Sequence, residues 1–401
     1  MSQPPRNQSL ADFDIHAKGA REAAEPLWEK MRALPGLYHS DDYGGYYVAA
    51  RYADVLKVLM NPQIFGSSKG ITLPPPTAMR SFHIPAEIDP PAHREYRALV
   101  TPFTTGDETR KYIPYMRAMV AQLLDGIATD APVDFVRAFA RPLPIMVTLH
   151  ILGQPAEDAA LLEKMVEDLH HAVATGVPNS AAADLTAYAT RILQARKASA
   201  HDPNADIISS LLLGQAFDRP LNDEEQMSMV RLFLIGGFDT VSGALGAMMR
   251  WLASDPKAVA MLRAQPALID AASEEIVRIS SPSTYLRREV MEDTELGGQK
   301  LPKGSSVLIA FGAANLDPAQ FACPHAVDPT RKPNRHLGFG AGHHRCIGSF
   351  IAKAQMRIAF EEIIARFDSF ELADPDAIAY TTGLGQTISR LPMIFHRQKG
   401  L

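Results

Sequence analysis

The chain contains only two cysteines, and one of them, Cys346, lies among residues whose types and spacing could do chemistry. Residues 339–348 read F-G-A-G-H-H-R-C-I-G. The three glycines allow tight turns and let the backbone approach a flat partner closely. An apolar helix is predicted directly after the cysteine, and its free N–H groups favour an anion, as do the two histidines and the arginine before the thiol. We therefore expect the pKa of the Cys346 thiol to be lowered.

A stabilised thiolate at this position suits a nucleophile or a metal ligand, and simple packing is the third interpretation. His343 or His344 could serve as the base of a Cys–His nucleophile. A zinc site is disfavoured because Cys323 is isolated from any second cysteine at ligand spacing. Haem iron needs only one protein thiolate, with a flat apolar cleft and cations for the two propionates.

Residues 222–253 predict a long buried helix with an unusual centre. Gly236-Gly237 and Asp239-Thr240 interrupt an otherwise apolar stretch. Two glycines in a helix interior cost about 2 kcal/mol relative to alanine, and a buried acid costs more unless it is paired. One interpretation is helix packing through glycine with a surface aspartate. The other is a kinked helix that passes over a cofactor and aims an acid–alcohol pair into a cavity.

The remaining elements are mostly helical. The patterns predict helices over residues 12–36, Tyr52–Met60 and 111–216, and a small sheet within residues 285–310. Residues 66–86 carry three consecutive prolines and are expected to form a lid. No internal repeat or Gly/Ser-rich linker divides the chain. We therefore expect a mainly α fold with small β-sheets, in one domain over residues 1–401.

Composition excludes several classes of protein. The net charge of −5 gives no nucleic-acid footprint. No run of about 18 apolar residues predicts a membrane span. Two cysteines in 401 residues fit a reducing compartment. We expect a cytoplasmic protein without nucleic-acid or membrane partners.

Taken together, these motifs resemble a soluble bacterial cytochrome P-450 over nearly the full length. The cysteine loop fits the family's haem-ligand signature, and G-G-F-D-T-V at 236–241 fits its oxygen-activation groove. Glu275-Ile-Val-Arg278 fits its E-x-x-R motif, and D-P-P-A-H-R-E-Y-R fits its propionate-binding helix. The pattern is nearest the camphor-hydroxylating group. The resemblance implies a triangular helical prism, with haem between the long central helix and the helix after the cysteine loop.

The resemblance also implies roles for individual residues. Cys346 would be the axial thiolate ligand of haem b. Thr240 would help to deliver a proton to dioxygen, and Asp239 would feed protons inward. The haem would contact Gly236, Phe339, Gly340 and Gly348. Its propionates would bind His93, Arg97, Arg288 and His344, with Arg287 in place of Arg288 if the register is off by one residue. Glu275, Arg278 and Arg331 would form a structural triad.

Substrate specificity is where this sequence departs from the camphor-hydroxylating group. Ser81 aligns with a lid tyrosine that donates a hydrogen bond to the substrate ketone in that group, which argues against camphor. The expected pocket walls are Ser81, Phe82, Ile235, Phe238 and Thr284, with the turn at 384–388. They indicate a small, mostly apolar substrate such as a terpenoid, a norisoprenoid or a small aromatic.

The expected activity is insertion of one oxygen atom from O2 into such a substrate. Electrons would come from NAD(P)H through a ferredoxin reductase and a two-iron ferredoxin, and Arg345, Lys353 and Arg357 could face that partner. A peroxide-driven enzyme of the same fold is the alternative, against which the Asp239-Thr240 pair argues. A cysteine hydrolase and a non-catalytic haem-binding protein complete the set of hypotheses.

Overall fold

Helices dominate the structure, a computed structural model that describes residues 9–17, 19–75, 83–175, 177, 179–199 and 202–397. The helices are α1 (Ala20–Arg32), α2 (Tyr52–Met60), α3 (Ala92–Val100), α4 (Gly106–Asp125), α5 (Pro142–Ile151), α6 (Ala159–Thr175), α7 (Ala181–Lys197), α8 (Ile207–Leu213), α9 (Asp223–Gly236), α10 (Asp239–Ser254), α11 (Pro256–Ala264), α12 (Ile269–Ser280), α13 (Phe311–Asn315) and α14 (Ser349–Arg366). The strands are β1 (Tyr38–Ser40), β2 (Tyr46–Ala49), β3 (Phe65–Gly66), β4 (Pro132–Asp134), β5 (Gln215–Ala216), β6 (Arg219–Pro220), β7 (Tyr285–Val290), β8 (Thr294–Leu296), β9 (Gln299–Leu301), β10 (Ser306–Ala310), β11 (Ser369–Leu372), β12 (Ala379–Tyr380), β13 (Ile388–Arg390) and β14 (Pro392–His396).

Side-chain caps fix where several helices begin. Asn222 accepts a hydrogen bond from the backbone of Glu225, and the Glu225 side chain accepts one from the Asn222 backbone, so the capping box in the sequence starts α9 as predicted. The Asp255 side chain accepts hydrogen bonds from the N–H groups of Lys257 and Ala258 and so caps α11, with Pro256 at the first helical position. Helix α2 has the bounds that its sequence pattern predicts.

The largest sheet has five strands in the order β1-β2-β10-β7-β3. Strand β7 pairs antiparallel with β10, so that Arg288 lies opposite Val307 and Arg287 opposite Leu308. Successive side chains of a strand point to opposite faces of the sheet. This register therefore decides which of two adjacent arginines faces the interior cavity described below.

The long central helix is interrupted, as its glycines suggest. Helix α9 ends at Gly236 and α10 begins at Asp239. Residues 223–254 are long and apolar enough to cross a membrane by length and composition, but 56% of the apolar window is buried inside the protein. Burial of this kind is typical of a core helix. The two helices therefore form a central axis with a break in its middle.

The largest apolar cluster joins α10 to α4, α12 and α14. Leu245 and Met248 of α10 and Phe360 and Ile363 of α14 are fully buried in it. Burial of side chains of this size stabilises the fold by about 1.5–3 kcal/mol each. This packing fixes α14, and with it the loop that carries Cys346, relative to the central helices.

Candidate active site

The cysteine loop is held by its own backbone. The N–H of Cys346 donates to the carbonyl of Phe339 at 2.8 Å, and the N–H of Gly340 donates to Leu337 at 2.8 Å. Gly340 and Gly342 have φ values of +69° and +66°, which only glycine adopts freely. The loop leaves the Cys346 side chain open to an internal cavity, two residues before the N-cap of α14.

The pKa of the Cys346 thiol is raised, whereas the sequence led us to expect a lowered value. Burial raises it, and this outweighs the Gly348 N–H and the charges of Arg97 and Arg345, which favour the thiolate. His343 and His344 do not help, because their own pKa values are lowered and they are neutral. The local protein charges are therefore too weak to ionise the thiol, whereas a bound metal ion deprotonates a coordinating thiol outright.

The cavity has a volume of about 340 Å³ and separates the cysteine loop and α14 from the central helices. Phe339, Gly340, His344, Cys346 and Gly348 line one side, and Gly236 and Thr240 line the other. A Cβ atom at Gly236 or Gly348 would meet nothing within 4 Å. Each side of the cavity therefore includes a glycine with open space beside its backbone, which fits the close approach of a flat group.

The break in the central helix places the acid–alcohol pair. A Cβ atom on Gly237 would lie 2.7 Å from Oγ1 of Thr148, so α5 packs closely against the break. Thr240 lies one turn after Gly236 and lines the cavity, whereas Asp239 is the first residue of α10 and is partly buried. The structure therefore brings Thr240 to the cavity, with Asp239 beside it in sequence.

Four basic side chains, which we call the cationic cluster, line the edge of the cavity: His93, Arg97, Arg288 and His344. The rings of His93 and His344 lie 4.4 Å apart, centroid to centroid. The Nε2 atoms of both histidines are buried and have no hydrogen-bond partner. None of the described acidic residues forms an ion pair with any member of the cluster.

Burial lowers the pKa values of three members of the cationic cluster, and repulsion between neighbouring cations adds to this at the two histidines. Burial lowers the pKa of His93 to about 4, and nearby His343 and Arg97 act in the same direction. Burial and Arg288 lower the pKa of His344 to about 2. Burial also lowers the pKa of Arg288 to about 10. Buried polar groups are normally paired, so this cluster fits a ligand that brings negative charge.

Arg287 and Arg288 are both buried but serve different neighbours. Arg287 donates to Ser306 Oγ at 2.8 Å and to the carbonyls of Lys69 and Gly70, and pairs with Glu289 at 2.9 Å. Arg288 donates to its predecessor's carbonyl at 2.8 Å and lines the cavity. Of the two candidates, Arg288 is therefore the one placed to meet an anionic group in the cavity.

Glu275, Arg278 and Arg331 lie together away from the cavity, and we call them the buried triad. Arg278 Nε and Nη2 donate to Glu275 at 2.7 and 2.9 Å, and Arg331 Nε donates to the same carboxylate at 3.1 Å. The other Arg278 donors reach the carbonyls of residues 315, 324 and 326. Burial would raise the pKa of Glu275, but these hydrogen bonds hold it below its usual value.

Three of the expected pocket residues do not line the cavity. Phe238 is buried in a separate apolar cluster, against which Ile235 packs. Thr284 donates to the Ser281 carbonyl at 3.1 Å and accepts from the Gln386 N–H at 3.2 Å, so it holds a turn. The turn at 384–388 does not line the cavity either, whereas Ser81 and Phe82 lie outside the described residues.

Neighbouring residues form the wall instead. Leu232 and Phe233 line the cavity one helical turn before Gly236, and Ser283 and Leu286 do so near Thr284. Helical spacing could have identified Leu232 and Phe233. They lie one turn before Gly236 and Gly237, which in turn lie one turn before Thr240, so all of these positions share one face of the helix. Thr284 shares the alternation of Leu286 and Arg288, but its hydroxyl is used by the turn.

Sequence reasoning also missed Glu87, a buried acid. Its carboxylate accepts from the N–H of Ile71 at 3.2 Å and from the N–H of His83 at 2.8 Å. Both donors lie within the expected lid segment, one in each of its two described parts. Glu87 therefore ties together the described ends of that segment, next to Ile71, which lines the cavity.

The chain is similar to known proteins over most of its length. A model of the cytochrome P450 family matches residues 177–393. Putative cytochrome P450 126 from Mycobacterium tuberculosis is 31% identical over 375 residues, which are 90% of this chain and 88% of the relative. Cytochrome P450-terp from a Pseudomonas species is 29% identical over 391 residues, covering 89% and 90%. The structure of a mutant of P450 EryK in complex with erythromycin B superposes with a TM-score of 0.86 at 27% identity, covering 96% of this chain and 99% of that one.

Proposed function

The chain belongs to the cytochrome P450 family, and from this premise we propose that it is a ferredoxin-dependent enzyme that hydroxylates a small, mostly apolar molecule. As a member of the family it is a monooxygenase that uses O2, redox partners and a haem with a cysteine thiolate ligand. Cys346 is the cysteine that opens to the cavity. The finer assignments below concern the substrate, the electron donor and the residues that handle protons.

The residues around the cavity fit the haem. The cationic cluster would hold its two carboxylates, with Arg288 in preference to Arg287, and Gly236, Phe339, Gly340 and Gly348 would lie against its faces. When bound, the haem supplies the iron at which O2 is activated. Thr240 would hold a proton at its hydroxyl oxygen on the opposite side of the cavity from Cys346. Asp239 would relay protons to it or hold a water beside it.

The observation that carries the substrate proposal is the composition of the wall beyond Thr240. Ile71, Pro85, Leu232, Phe233 and Leu286 are apolar, and Ser283 and Thr148 add two hydroxyl groups. A pocket of this kind favours an apolar ligand with at most one or two polar groups. A terpenoid, a norisoprenoid or a small aromatic fits this description.

Titration of the purified haem protein with a panel of small molecules tests the substrate proposal. We expect a saturable spin-state shift of the Soret band with compact terpenoids or norisoprenoids, and none with anionic analogues of the same size. A panel in which only charged or very large molecules shift the band would contradict the proposal. Product analysis with O2 and reducing equivalents then locates the hydroxylated carbon.

A peroxide-driven reaction of the same fold is the competing proposal, and Thr240 distinguishes the two. Replacing Thr240 by Ala should leave O2 consumption but lower the fraction that yields product several-fold, because a positioned proton donor is lost. Ser242→Ala is the matched control, since Ser242 is buried in the same helix and does not line the cavity. Unchanged coupling in Thr240→Ala would contradict the proton role. A haem-binding protein without catalysis would show no product with either variant or with the native protein.

The electron donor is proposed to dock near Arg345. Arg345 is exposed, and none of the described carboxylates pairs with it. Lys353 already pairs with Glu274, and Arg357 pairs with Glu361 at 2.8 Å, so these two cations are partly used. An acidic ferredoxin would be attracted mainly through Arg345.

Charge reversal tests this docking site. Arg345→Glu should slow ferredoxin-dependent reduction of the haem about tenfold or more at low salt, with a smaller effect at high salt. Arg357→Glu is the matched control and should have a smaller effect. Equal rates in the native protein and Arg345→Glu would rule out this surface.

We also propose that residues 1–401 form one P450 domain that works in the cytoplasm. The described residues form four apolar clusters, and each cluster contains residues from both halves of the chain, which supports a single domain. Both cysteines are free, which suits a reducing compartment. One cooperative unfolding transition for the haem protein, and recovery in the soluble cell fraction, are the expected results.

A further inference from the structure

A second cavity lies on the far side of the turn before β7. It has a volume of about 1170 Å³, opens to solvent, and is lined by α1, the second half of α10, α12 and the turns at 316–327 and 380–388. Pro282 lines both this cavity and the one that contains Cys346, so a single residue separates them at that point. Apart from Pro282, none of the described residues that line it also lines the cavity of Cys346.

Two arginines on its wall have no acidic partner. Arg21 Nη2 donates weakly to the carbonyl of Ile279, at 3.4 Å, and its Nη1 atom is buried without any partner. Arg250 donates to the hydroxyl of Tyr380. None of the described carboxylates forms an ion pair with either guanidinium. Both groups therefore retain donors for an anionic ligand.

The other charged groups on this wall are Arg32, His325 and the carboxylates of Glu25, Glu29 and Asp317. Arg32 lies near Glu25, Glu29 and Asp317, which partly offset the cost of burying it. The Nδ1 atom of His325 lies 3.5 Å from Oε2 of Glu25. These carboxylates are grouped around Arg32, and none of them forms an ion pair with Arg21 or Arg250.

Gln386 supplies a buried acceptor to the same cavity. The residue is only 2% exposed, its Nε2 donates to the carbonyl of Ile15 at 3.3 Å, and its Oε1 atom has no partner. An unsatisfied buried acceptor costs about 1–3 kcal/mol. A ligand with a hydroxyl group would satisfy it.

Apolar side chains form the rest of the surface that such a ligand would touch. Trp251, Ile276, Ile279 and Leu316 line the cavity between the charged positions. We propose that this cavity binds a small hydroxy acid with an apolar body: its carboxylate contacts Arg21 and Arg250, and its hydroxyl group donates to Gln386. The site is independent of the substrate and electron donor proposed above.

Binding of 10-hydroxydecanoate to the haem protein tests this proposal. The haem iron is first saturated with 4-phenylimidazole, so that the acid cannot be bound in the cavity of Cys346. Trp251 lines the second cavity and reports through its fluorescence, and calorimetry gives the stoichiometry. We expect one saturable site per chain, weakened at least tenfold in Arg250→Gln and in Arg21→Gln and for the methyl ester of the probe. Decanoate, which lacks the hydroxyl group, should bind several-fold more weakly.

Controls separate the site from misfolding and from non-specific attraction. Arg110→Gln removes a largely exposed arginine of α4 and should leave binding unchanged. Each variant is used only if its reduced, CO-bound spectrum equals that of the native protein; if Arg21→Gln fails to fold, Arg250→Gln decides. Absence of saturable binding, equal affinity in the arginine variants, or loss of binding when the azole is present would each overturn the proposal.

Discussion

The buried triad and the cationic cluster are both made of charged groups inside the protein, but only one of them is complete. All five N–H donors of Arg278 have acceptors in the protein, and two arginines and a backbone N–H share the carboxylate of Glu275. The cationic cluster has buried nitrogens without partners and no acidic residue paired with it among those described. The difference indicates that the triad serves the fold alone, whereas the cluster needs an anionic ligand.

Breaking the triad should have the largest effect. Glu275→Gln removes the charge that Arg278 and Arg331 share, and it leaves a guanidinium buried without a counter-ion. Removal of one partner of a buried pair costs about 3–5 kcal/mol. Urea unfolding of the apoprotein should show this loss, together with a failure to retain haem.

Glu361→Gln is the control for this prediction, because Glu361 pairs with Arg117 and Arg357 nearer the surface. Its effect should stay below about 1 kcal/mol. Comparable losses in the two variants would mean that the triad has no special place in the fold.

The adjacent arginines of β7 allow the sharpest comparison. Arg288→Gln should accelerate haem dissociation about 10–100-fold, because a charge-assisted contact to a carboxylate is lost. It should leave the apoprotein as stable as before, since Arg288 has no acidic partner there.

Arg287→Gln should give the opposite result. Its guanidinium serves Ser306, Glu289 and two carbonyls, so the apoprotein loses stability and haem dissociation changes little. Haem transfer to apomyoglobin and thermal unfolding measure the two quantities. A faster haem loss in Arg287→Gln than in Arg288→Gln would reverse the assignment.

The pH dependence of the apoprotein should report the incomplete cluster. The pKa of His93 is about 4 in the folded chain and about 6.5 in the unfolded chain. Between these pH values the unfolded chain binds a proton at this residue that the folded chain does not, so the contribution of His93 lowers stability by about 3 kcal/mol as the pH falls from 6.5 to 4.

Denaturant unfolding at several pH values checks this expectation. His93→Gln should remove the part of the change in unfolding free energy with pH that His93 causes. The haem protein should show a weaker pH dependence, because the two haem carboxylates would favour protonated His93. An apoprotein whose stability does not change across this range would contradict it.

The smallest effect is expected where α3 is anchored. Tyr96 donates to Glu225 at 2.7 Å, and Arg219 pairs with the same carboxylate at 2.7 Å. Tyr96→Phe leaves the Arg219 pair in place and should cost about 1 kcal/mol. Haem dissociation should change less than twofold, and a larger change would show that this contact positions His93 and Arg97.

The triad and the cluster were predicted from the resemblance to the cytochrome P-450 family, because each contains one of the family's motifs. Glu275 and Arg278 lie three residues apart on one helix, and His93 and Arg97 lie one turn apart on another. The pocket walls were less predictable. Phe238 and Ile235 lie off the face of the helix that carries Thr240, and the Thr284 hydroxyl is used by a distant turn.

The thiol shows a different limit of sequence reasoning. Its neighbours in sequence favour the thiolate, but burial depends on the whole fold and acts more strongly in the opposite direction. Glu87 could not be recognised for the same reason, since its partners lie four and sixteen residues away in a segment without regular structure.

The absorption spectrum of the reduced protein with carbon monoxide tests the central claim most directly. We predict a strongly red-shifted Soret band in the native protein, which reports a thiolate ligand, and its loss in Cys346→Ser. Haem without the red shift in the native protein, or a shift that survives in Cys346→Ser, would contradict the assignment of Cys346 and of the cavity beside it.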